Sequence, residues 1–310
     1  MQRHLQLPVP QGARGAAVAM GNFDGVHRGH QSVIALAAEN AQGAPLGIVT
    51  FEPHPRSFFA ADAPPFRLMN PEARATRLSK LGVEHVFEVP FNADLASLTP
   101  RAFCEEILVA GLGISHVVVG ADFCFGKGRT GTVETLREEG ARFGFGVTIA
   151  PLITAAEGAV SSSAIRKALS EGQPQTARDM LGHWHRIEGV VQHGFKRGRE
   201  MGFPTANIPM EGLHLPAFGV YAVSVDVLDG PHAGAYQGCA SLGSRPTFGD
   251  HAPNLEIFLL DFEGDLYGAT LSTALVAFQR PELKFNGMDA LIAQMESDVE
   301  EARTLLASHL

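Results

Sequence analysis

Two histidines stand three residues apart in a glycine-rich segment near the start of the chain, where His27 and His30 close residues 21–30. On a helical turn, side chains at this spacing share a face, so both imidazoles can donate hydrogen bonds to phosphate oxygens as charge develops in a phosphoryl transition state. The segment precedes a helix-like run, and a helix N-terminus offers backbone amides to an anion. The pattern predicts nucleotide binding. Two alternatives stay open: a metal site completed by Asp24, as in a zinc hydrolase, and a pair of surface histidines.

A carboxylate in an otherwise apolar strand is the candidate for a second chemistry. Glu256 lies in the run of residues 255–260, and strand alternation predicts that its side chain shares a face with Phe258. An ionised carboxylate in an apolar wall is costly unless it is paired or used. A neutral hydroxyl that attacks a phosphate must lose a proton, and such a carboxylate is suited to accept it. A salt bridge from Glu256 to Arg245 or Arg280 is the structural alternative.

The elements that must position the first group alternate between strand-like and helix-like segments. Strands are predicted at residues 16–20, 46–51, 85–89, 115–119 and 147–150, and helices at residues 31–40, 71–81, 99–111 and 132–143. Such alternation predicts an α/β domain of the Rossmann-like kind, with a doubly wound parallel sheet and helices on both faces.

The pattern changes after residue 182. Strand-like runs are found at residues 187–192, 220–227, 238–242, 255–261 and 271–278, and apolar residues at positions 291, 295, 299 and 306 lie near helical spacing. Glycine, proline and aspartate separate the runs. This half is therefore predicted to be a small antiparallel β-barrel with a terminal helix. The predicted domains are residues 1–182 and 183–310.

Composition limits the possible partners. The formal net charge is −9, so the surface should repel nucleic acids and anionic membranes. The cysteines, Cys104, Cys124 and Cys239, form no Cys-x-x-Cys pair, so neither a zinc knuckle nor a disulfide framework is indicated. Residues 1–14 lack the apolar region of a signal peptide, and no stretch reaches the roughly 20 apolar residues that span a bilayer. We expect a cytoplasmic protein with small-molecule partners, as a monomer or a weak homo-oligomer.

Four blocks of the first half resemble the FAD synthetase branch of the nucleotidyltransferase superfamily. His27-Arg28-Gly29-His30 matches the superfamily's HxGH signature, and residues 50–55 (TFEPHP), 119–126 (VGADFCFG) and 161–166 (SSSAIR) are similar to the branch motifs TFxPHP, VGxDFxFG and ISSTxIR. The resemblance implies that His27 and His30 are catalytic. It implies ATP contacts by Gly21, Asn22, Phe23, Asp24, His27, Gly29, His30, Ser161, Ser162 and Arg166. It implies flavin contacts by His54, Asp122 and Arg129.

Two positions depart from the branch pattern. Ser163 stands where threonine is usual and keeps the hydroxyl, whereas Cys124 stands where arginine is common and removes a cation that Lys127 or Arg129 would have to replace. Structural alternatives exist here too. A helix start capped by serines would explain residues 161–166, and a rigid proline turn would explain His54.

The second half resembles riboflavin kinases. Residues 198–207 (GREMGFPTAN) match the kinase motif GRxLGFPTAN, and residues 244–249, 265–268 and 280–285 also resemble that family. The resemblance implies ATP contacts by Gly194, Lys196, Gly198, Arg199, Gly202, Pro204, Thr205 and Asn207. It further implies magnesium binding by Thr205 and Asn207, with Glu256 as the catalytic base. A solvated turn is the alternative for Lys196 and Arg199.

Both resemblances occur in the domain order of the bacterial bifunctional FAD synthetases. They imply that the second domain uses ATP and Mg²⁺ to phosphorylate riboflavin to FMN, and that the first adenylylates FMN to FAD with release of pyrophosphate. The phosphate of FMN is already a nucleophile, so its reaction needs positioning and charge neutralisation rather than a strong base. Two other functions stay open: a different HxGH adenylyltransferase, acting on pantetheine phosphate or nicotinamide mononucleotide, and a flavin-binding regulator that has lost catalysis.

Overall fold

The computed structural model describes residues 1–60, 62–155, 158–193, 202–244 and 253–309. Its contacts group the chain into two compact units. The first unit is Met1–Pro64 with Arg74–Val160, and the second unit is Pro65–Ala73 with Ser161–Leu310. The predicted domain boundary between residues 182 and 183 stays a prediction.

A parallel sheet forms the centre of the first unit. Its strands are β1 (Gln2–His4), β2 (Ala17–Met20), β3 (Leu46–Glu52), β4 (His85–Pro90), β5 (His116–Gly120) and β6 (Gly146–Ala150). They lie in the order β1-β4-β3-β2-β5-β6, and every neighbouring pair is parallel. The predicted α/β class and doubly wound sheet are confirmed. A short hairpin of β7 (Thr154–Ala155) and β8 (Gly158–Ala159) follows the sheet.

Helices connect these strands. They are α1 (Arg28–Glu39), α2 (Pro55–Phe59), α3 (Pro71–Ser79), α4 (Ala93–Ser97), α5 (Pro100–Ala102) and α6 (Val133–Phe143), with 3₁₀ turns at Gln11–Ala13 and Lys127–Arg129. Thr99 caps α5 through its hydroxyl at the start of the helix predicted over residues 99–111, but the chain then continues as a π-helix over Phe103–Leu112. Apolar spacing does not distinguish this wider turn from an α-helix.

The strand order fixes where a ligand can approach the sheet. The chain runs from β2 outward through β3 to β4 and then returns to β5 on the other side of β2. The connections that follow β2 and β5 therefore diverge at the carboxyl edge, and ligands of doubly wound sheets bind at such a switch point. Residues 21–30 and Asp122 lie in these two connections.

The second unit is built on an antiparallel barrel. Its strands are β9 (Arg186–Val190), β10 (Ala206–Pro209), β11 (Gly219–Val227), β12 (Gly234–Ser244), β13 (Pro253–Leu259) and β14 (Thr270–Pro281). They lie in the order β10-β13-β12-β11-β14-β9, and a bridge between Gln192 and Asn207 brings the two outer strands together and nearly closes the barrel. The predicted antiparallel barrel is confirmed.

Among the residues that the structure describes, three helices accompany the barrel: α7 (Ser162–Ser170), α8 (Pro174–Leu181) and α9 (Met288–His309). Alternate residues of the strands, among them Tyr221, Val223 and Ile257, fill the barrel interior. The terminal helix α9 covers the opposite face of β11 and β14, where Ala302 and Leu306 pack against apolar strand residues. The predicted terminal helix is confirmed.

Candidate active sites

The backbone between β2 and α1 makes a strained, tightly packed turn. Phe23, Gly25 and Val26 have φ angles of 51°, 86° and 44°, and the N–H of Val26 donates to the carbonyl of Phe23 at 3.2 Å. A positive φ is unfavourable for a bulky or β-branched residue, and backbone of this kind clusters at functional sites. Because Phe23 and Val26 are fully buried, packing holds the turn in place.

The two imidazoles lie face to face at the start of α1. The rings of His27 and His30 are stacked, with centroids 3.6 Å apart and planes inclined by 16°. His27 caps the helix, because its Nδ1 accepts the backbone N–H of His30 at 3.3 Å. An accepting Nδ1 carries no hydrogen, so neutral His27 has its hydrogen on Nε2, from which it can donate to an anion.

Electrostatics keep His30 uncharged. Burial lowers its pKa well below the usual value, and His27 lowers it further. The Nδ1 atom of His30 is buried and has no hydrogen-bond partner among the residues that the structure describes. A buried nitrogen without a partner is an exception in folded proteins. His30 therefore stays neutral at pH 7.

The turn is also tied to the neighbouring strand β3. The hydroxyl of Thr50 donates to the carbonyl of Asn22 at 3.3 Å, and the N–H of Gly21 donates to the carbonyl of Val49 at 3.1 Å. Asp24 is buried within the turn. No group of three or more His, Cys, Asp or Glu side chains in the described part of the chain is arranged to hold a metal ion, so the zinc alternative gains no support.

The predicted flavin residues follow β3 and β5. The half-buried His54 precedes α2, and its Nδ1 accepts the backbone N–H of Arg56 at 3.0 Å. Asp122 and Arg129 are exposed, and Arg129 has a φ of 59° in its 3₁₀ turn. His54 thus stabilises a local turn, as the structural alternative expected. The flavin contacts of these three residues stay predictions.

The serine-rich block begins α7 in the second unit. Ser161 caps the helix, since its hydroxyl accepts the N–H of Ala164 at 3.2 Å. The Arg166 guanidinium donates to the carbonyl of Phe66 and to the hydroxyl of Ser163, both at 3.3 Å. The capped helix start is therefore confirmed. It remains compatible with phosphate binding because a helix N-terminus attracts anions, and the ATP contacts of Ser161, Ser162 and Arg166 stay predictions.

The predicted base and one predicted metal ligand of the barrel are direct neighbours. Glu256 on β13 pairs in register with Asn207 on β10 and with Ser241 on β12. Side chains of such opposed residues have Cβ atoms roughly 5 Å apart. Glu256 and Phe258 are half-buried on the face turned away from the barrel interior, as alternation predicted. The surroundings of Glu256 are more polar than the expected apolar wall, because Asn207 shares them.

One of the two arginines considered as salt-bridge partners of Glu256, Arg280, pairs with Asp298. Arg280 donates from Nε and Nη2 to the two carboxylate oxygens of Asp298, at 2.8 and 2.6 Å. Its Nη1 donates to the carbonyl of Pro281. Arg245 lies outside the described residues. Arg280 therefore fastens α9 to β14 by its bond to Asp298.

Asn207 is held firmly by its own neighbours. Its side-chain nitrogen donates to the carbonyl of Thr205 at 3.1 Å, and its side-chain oxygen accepts from Asn254 at 2.9 Å. Asn207 is also 6% exposed. The carboxamide is thus fixed next to Thr205 and across from Glu256.

A cleft of about 370 Å³ opens at the barrel, and of this group only Thr205 lines it. It is lined by Val191, Pro204, Thr205, Ala206, Ile257, Leu259 and residues 262–267. Pro204 and Thr205 were predicted to contact ATP. Sequence reasoning assigned no role to Phe262 or Tyr267, although residues 265–268 belong to a block that resembles riboflavin kinases.

The remaining kinase residues lie mostly beyond the described part. Gly194, Lys196, Gly198 and Arg199 fall outside the described residues. Gly202 has a φ of 84°, a left-handed conformation that glycine adopts without steric cost. Their ATP contacts stay predictions.

The folds and these two groups of side chains define a class of protein: a nucleotide-dependent transferase with an α/β unit and a barrel unit. Comparison with known families agrees with that class. The profile of the FAD synthetase family matches residues 9–164, and the profile of the riboflavin kinase family matches residues 181–306.

Curated relatives extend the match to nearly the whole chain. A bifunctional riboflavin kinase/FMN adenylyltransferase of Pseudomonas fluorescens is 41% identical over 95% of this chain and 94% of its own. One of Listeria monocytogenes is 40% identical over 94% of this chain and 92% of its own. The chain belongs to the family of bifunctional riboflavin kinase/FMN adenylyltransferases, with the FAD synthetase domain first.

A solved structure shares the fold of the full chain. It is described as a macrolide-efflux protein from Streptococcus pneumoniae and matches with a TM-score of 0.79 and 32% identity, over 93% of this chain and 94% of that chain. That description belongs to the other protein. Among the described residues of this chain, no helix has both the length and the apolar character needed to cross a membrane.

Proposed function

We propose a division of labour in which the barrel unit makes FMN and the α/β unit supplies the imidazoles that turn FMN into FAD. The observation that carries the kinase half is the pairing of Glu256 with Asn207 in register. The observation that supports the adenylyl-transfer half is the pair of stacked imidazoles at the start of α1. Family membership assigns the two activities to the chain, and these residues support the proposed position of each site.

Phosphorylation of riboflavin needs a base. Glu256 takes the proton from the terminal hydroxyl of riboflavin, the hydroxyl oxygen forms a bond to the γ-phosphorus of ATP, and the bond from that phosphorus to the bridging oxygen breaks to release ADP. A cleft of about 370 Å³ lies in the size range of small-molecule sites. Thr205 lines this cleft and accepts a hydrogen bond from Asn207 through its carbonyl, so Thr205 connects the cleft to the pair of Asn207 and Glu256.

Magnesium fits the oxygen donors at this place. Thr205 offers a hydroxyl and Asn207 a carboxamide oxygen, hard ligands of the kind that Mg²⁺ prefers. Asn207 is already fixed by its hydrogen bonds to Thr205 and Asn254, so its position is set before a ligand binds. When bound, the ion neutralises phosphate charge. The two residues would hold it together with the triphosphate rather than in a carboxylate cage.

Adenylyl transfer needs donors rather than a base. A phosphate oxygen of FMN forms a bond to the α-phosphorus of ATP, and the bond from that phosphorus to the bridging oxygen breaks to release pyrophosphate. Neutral His27 donates from Nε2 to the phosphate that is under attack, and neutral His30 is a second donor. The backbone amides at the start of α1 add partial positive charge.

The cellular setting remains an inference from composition. We propose that the protein acts in the cytoplasm on small molecules rather than on nucleic acids, because a formal net charge of −9 repels nucleic acids and anionic membranes.

Single-residue variants separate the two chemistries. Glu256→Gln should lower riboflavin phosphorylation by about 10²-fold or more, because a general base contributes that much, and should leave conversion of FMN to FAD intact. His30→Ala should do the reverse, so that FMN accumulates from riboflavin and ATP. The measurement is chromatography of FMN and FAD with each substrate supplied separately. Pantetheine phosphate and nicotinamide mononucleotide serve as control acceptors and should not react. Loss of both activities in either folded variant would contradict the assignment.

A further inference from the structure

The helix that carries the serine block is fixed to a segment of the barrel unit. The N–H of Ala217 donates to the carbonyl of Leu169 in the last turn of α7 at 2.9 Å, and the N–H of His214 donates to the carbonyl of Arg67 at 2.8 Å. Carbonyls in the last turn of a helix lack the usual partner within the helix. The bond from Ala217 therefore gives one of them a partner outside α7 and docks the end of the helix.

The His214 ring makes a second, more central attachment. Its Nε2 lies 2.9 Å from the carbonyl oxygen of Arg166 and 3.1 Å from the hydroxyl of Ser170. A carbonyl oxygen only accepts, so Nε2 carries the hydrogen. Burial lowers the pKa of His214; the bond to the Arg166 carbonyl opposes that shift and the Arg166 charge adds to it. His214 is therefore a neutral donor at pH 7.

Arg166 is held at its side chain as well. The guanidinium donates to the carbonyl of Phe66 and to the hydroxyl of Ser163 and lies 5.7 Å from the centre of the Phe66 ring. Because α7 has only 9 residues, a fixed point at Arg166 sets the rotation and the axial position of the whole helix, including the turn that Ser161 begins.

We propose that His214 is a positioning residue for adenylyl transfer. By donating to the carbonyl of Arg166 it fixes α7, and with it Ser161, Ser162 and the Arg166 guanidinium. This inference rests on the proposed ATP contacts of those three residues. His214 acts through Arg166 and takes no part in the chemistry itself. A residue of the kinase barrel thereby influences the other reaction of the chain.

Substitution of His214 tests the proposal through the Michaelis constant for ATP in each reaction. His214→Leu removes the donor and should raise KM for ATP in FMN adenylylation about tenfold, the effect of one hydrogen bond of roughly 1–1.5 kcal/mol. The turnover number should change less, and KM for ATP in riboflavin phosphorylation should stay at the wild-type value.

Two amide variants distinguish positioning from general damage. His214→Gln places a side-chain nitrogen near the position of Nε2 and should restore KM for ATP in adenylylation. His214→Asn is too short to reach the carbonyl of Arg166 and should leave that KM raised. This comparison decides the question even where His214→Leu does not fold.

A matched control is available on α9. Nδ1 of His309 lies 3.0 Å from the carbonyl of Leu305 and 2.8 Å from the hydroxyl of Ser308, the same two kinds of partner that His214 has. His309→Leu should leave both KM values unchanged. The proposal is overturned if the Leu and Asn variants of His214 behave like wild type, if Gln is as impaired as Asn, or if both reactions suffer equally.

Arg166→Ala separates this proposal from the function on which it rests. An unchanged KM for ATP in adenylylation would remove the proposed role of Arg166, and with it the inference about His214. A raised KM in Arg166→Ala together with wild-type behaviour in the Leu and Asn variants of His214 would overturn the inference alone.

Discussion

At the scale of single residues, the α/β unit offers donors that carry no charge. His27 has its hydrogen on Nε2, because Nδ1 accepts from the backbone of His30, and burial holds the pKa of His30 well below its usual value. Two stacked imidazoles could not both be protonated without strong repulsion. Neutralisation of the phosphate charge must therefore come from elsewhere, and helix N-termini, cationic side chains and the proposed magnesium ion are the candidates.

Gly29 is a position where a small substitution would shift the His27 ring only slightly. A Cβ atom at Gly29 would lie 3.2 Å from Cε1 and Nδ1 of the His27 ring, so the ring would have to shift by a few tenths of an ångström. Gly29→Ala should lower conversion of FMN to FAD about tenfold, since small misplacements of catalytic groups are expensive. Stability should stay the same or rise, because alanine favours helix over glycine.

The measurement for Gly29→Ala is the steady-state rate of FAD formation from FMN, with riboflavin phosphorylation by the same sample as the internal control. A wild-type rate of FAD formation would mean that the position of the His27 ring does not matter for the transfer.

Sequence patterns predicted the candidate side chains but not which residues lie next to them. The alternation around Glu256 predicted the strand face on which its side chain lies, and the motif resemblance singled out Asn207. Neither segment predicted that the two residues pair across neighbouring strands. Register between β10 and β13 is set by contacts across the barrel, which local periodicity does not carry. Phe262 and Tyr267, which line the cleft, were not predicted for the same reason, because distant strands position the loop that holds them.

At the scale of elements, two of the strands that were missed, β1 and β10, contain polar residues or proline. β1 is three residues long and reads Gln-Arg-His, and β10 reads Ala-Asn-Ile-Pro. Asparagine and proline are depleted in strands, so these segments resemble loops until their partners are known. The apolar strands β2, β3 and β5 were predicted within one or two residues because both faces of a parallel sheet are buried.

The terminal helix α9 depends on one buried ion pair. Asp298 accepts two bonds from Arg280 and a third from Gln294, and its side chain is 5% exposed while that of Arg280 is 17% exposed. Asp298→Asn should lower the free energy of unfolding of the second unit by about 2 kcal/mol, the range for a hydrogen bond to a charged group.

A second aspartate provides the comparison for that prediction. Asp261 makes an equally short bidentate pair with Arg303, but the two side chains are 75% and 41% exposed. Asp261→Asn should change stability little, because exposed pairs contribute little. Urea unfolding of both variants is the measurement. Equal losses of stability would show that burial does not decide the strength of these pairs.

At the scale of the whole molecule, the second unit carries a buried histidine that links stability to pH. Burial, with smaller contributions from His183 and His214, lowers the pKa of His185 from 6.5 to about 3. In the unfolded chain His185 therefore binds a proton below about pH 6.5, whereas in the folded chain it stays unprotonated down to about pH 3. Stability is lost as the pH falls through that window.

Between pH 7 and pH 5 this single group should cost about 2 kcal/mol of stability. His185→Leu should remove that part of the pH dependence, whatever its effect at pH 7. The only tryptophan, Trp184, is the adjacent residue, so its fluorescence during urea unfolding reports on this unit. An identical loss of stability between the two pH values in wild type and variant would show that His185 does not carry the effect.

The account as a whole states that one chain contains two chemically independent transferase sites. Mixing the Glu256→Gln and His30→Ala proteins tests this most directly, with riboflavin, ATP and Mg²⁺ supplied and FAD measured over time. We predict that neither protein alone makes appreciable FAD from riboflavin and that the mixture does, because FMN made by one is adenylylated by the other. A mixture of folded proteins that makes FMN but no FAD, or makes neither, would contradict it.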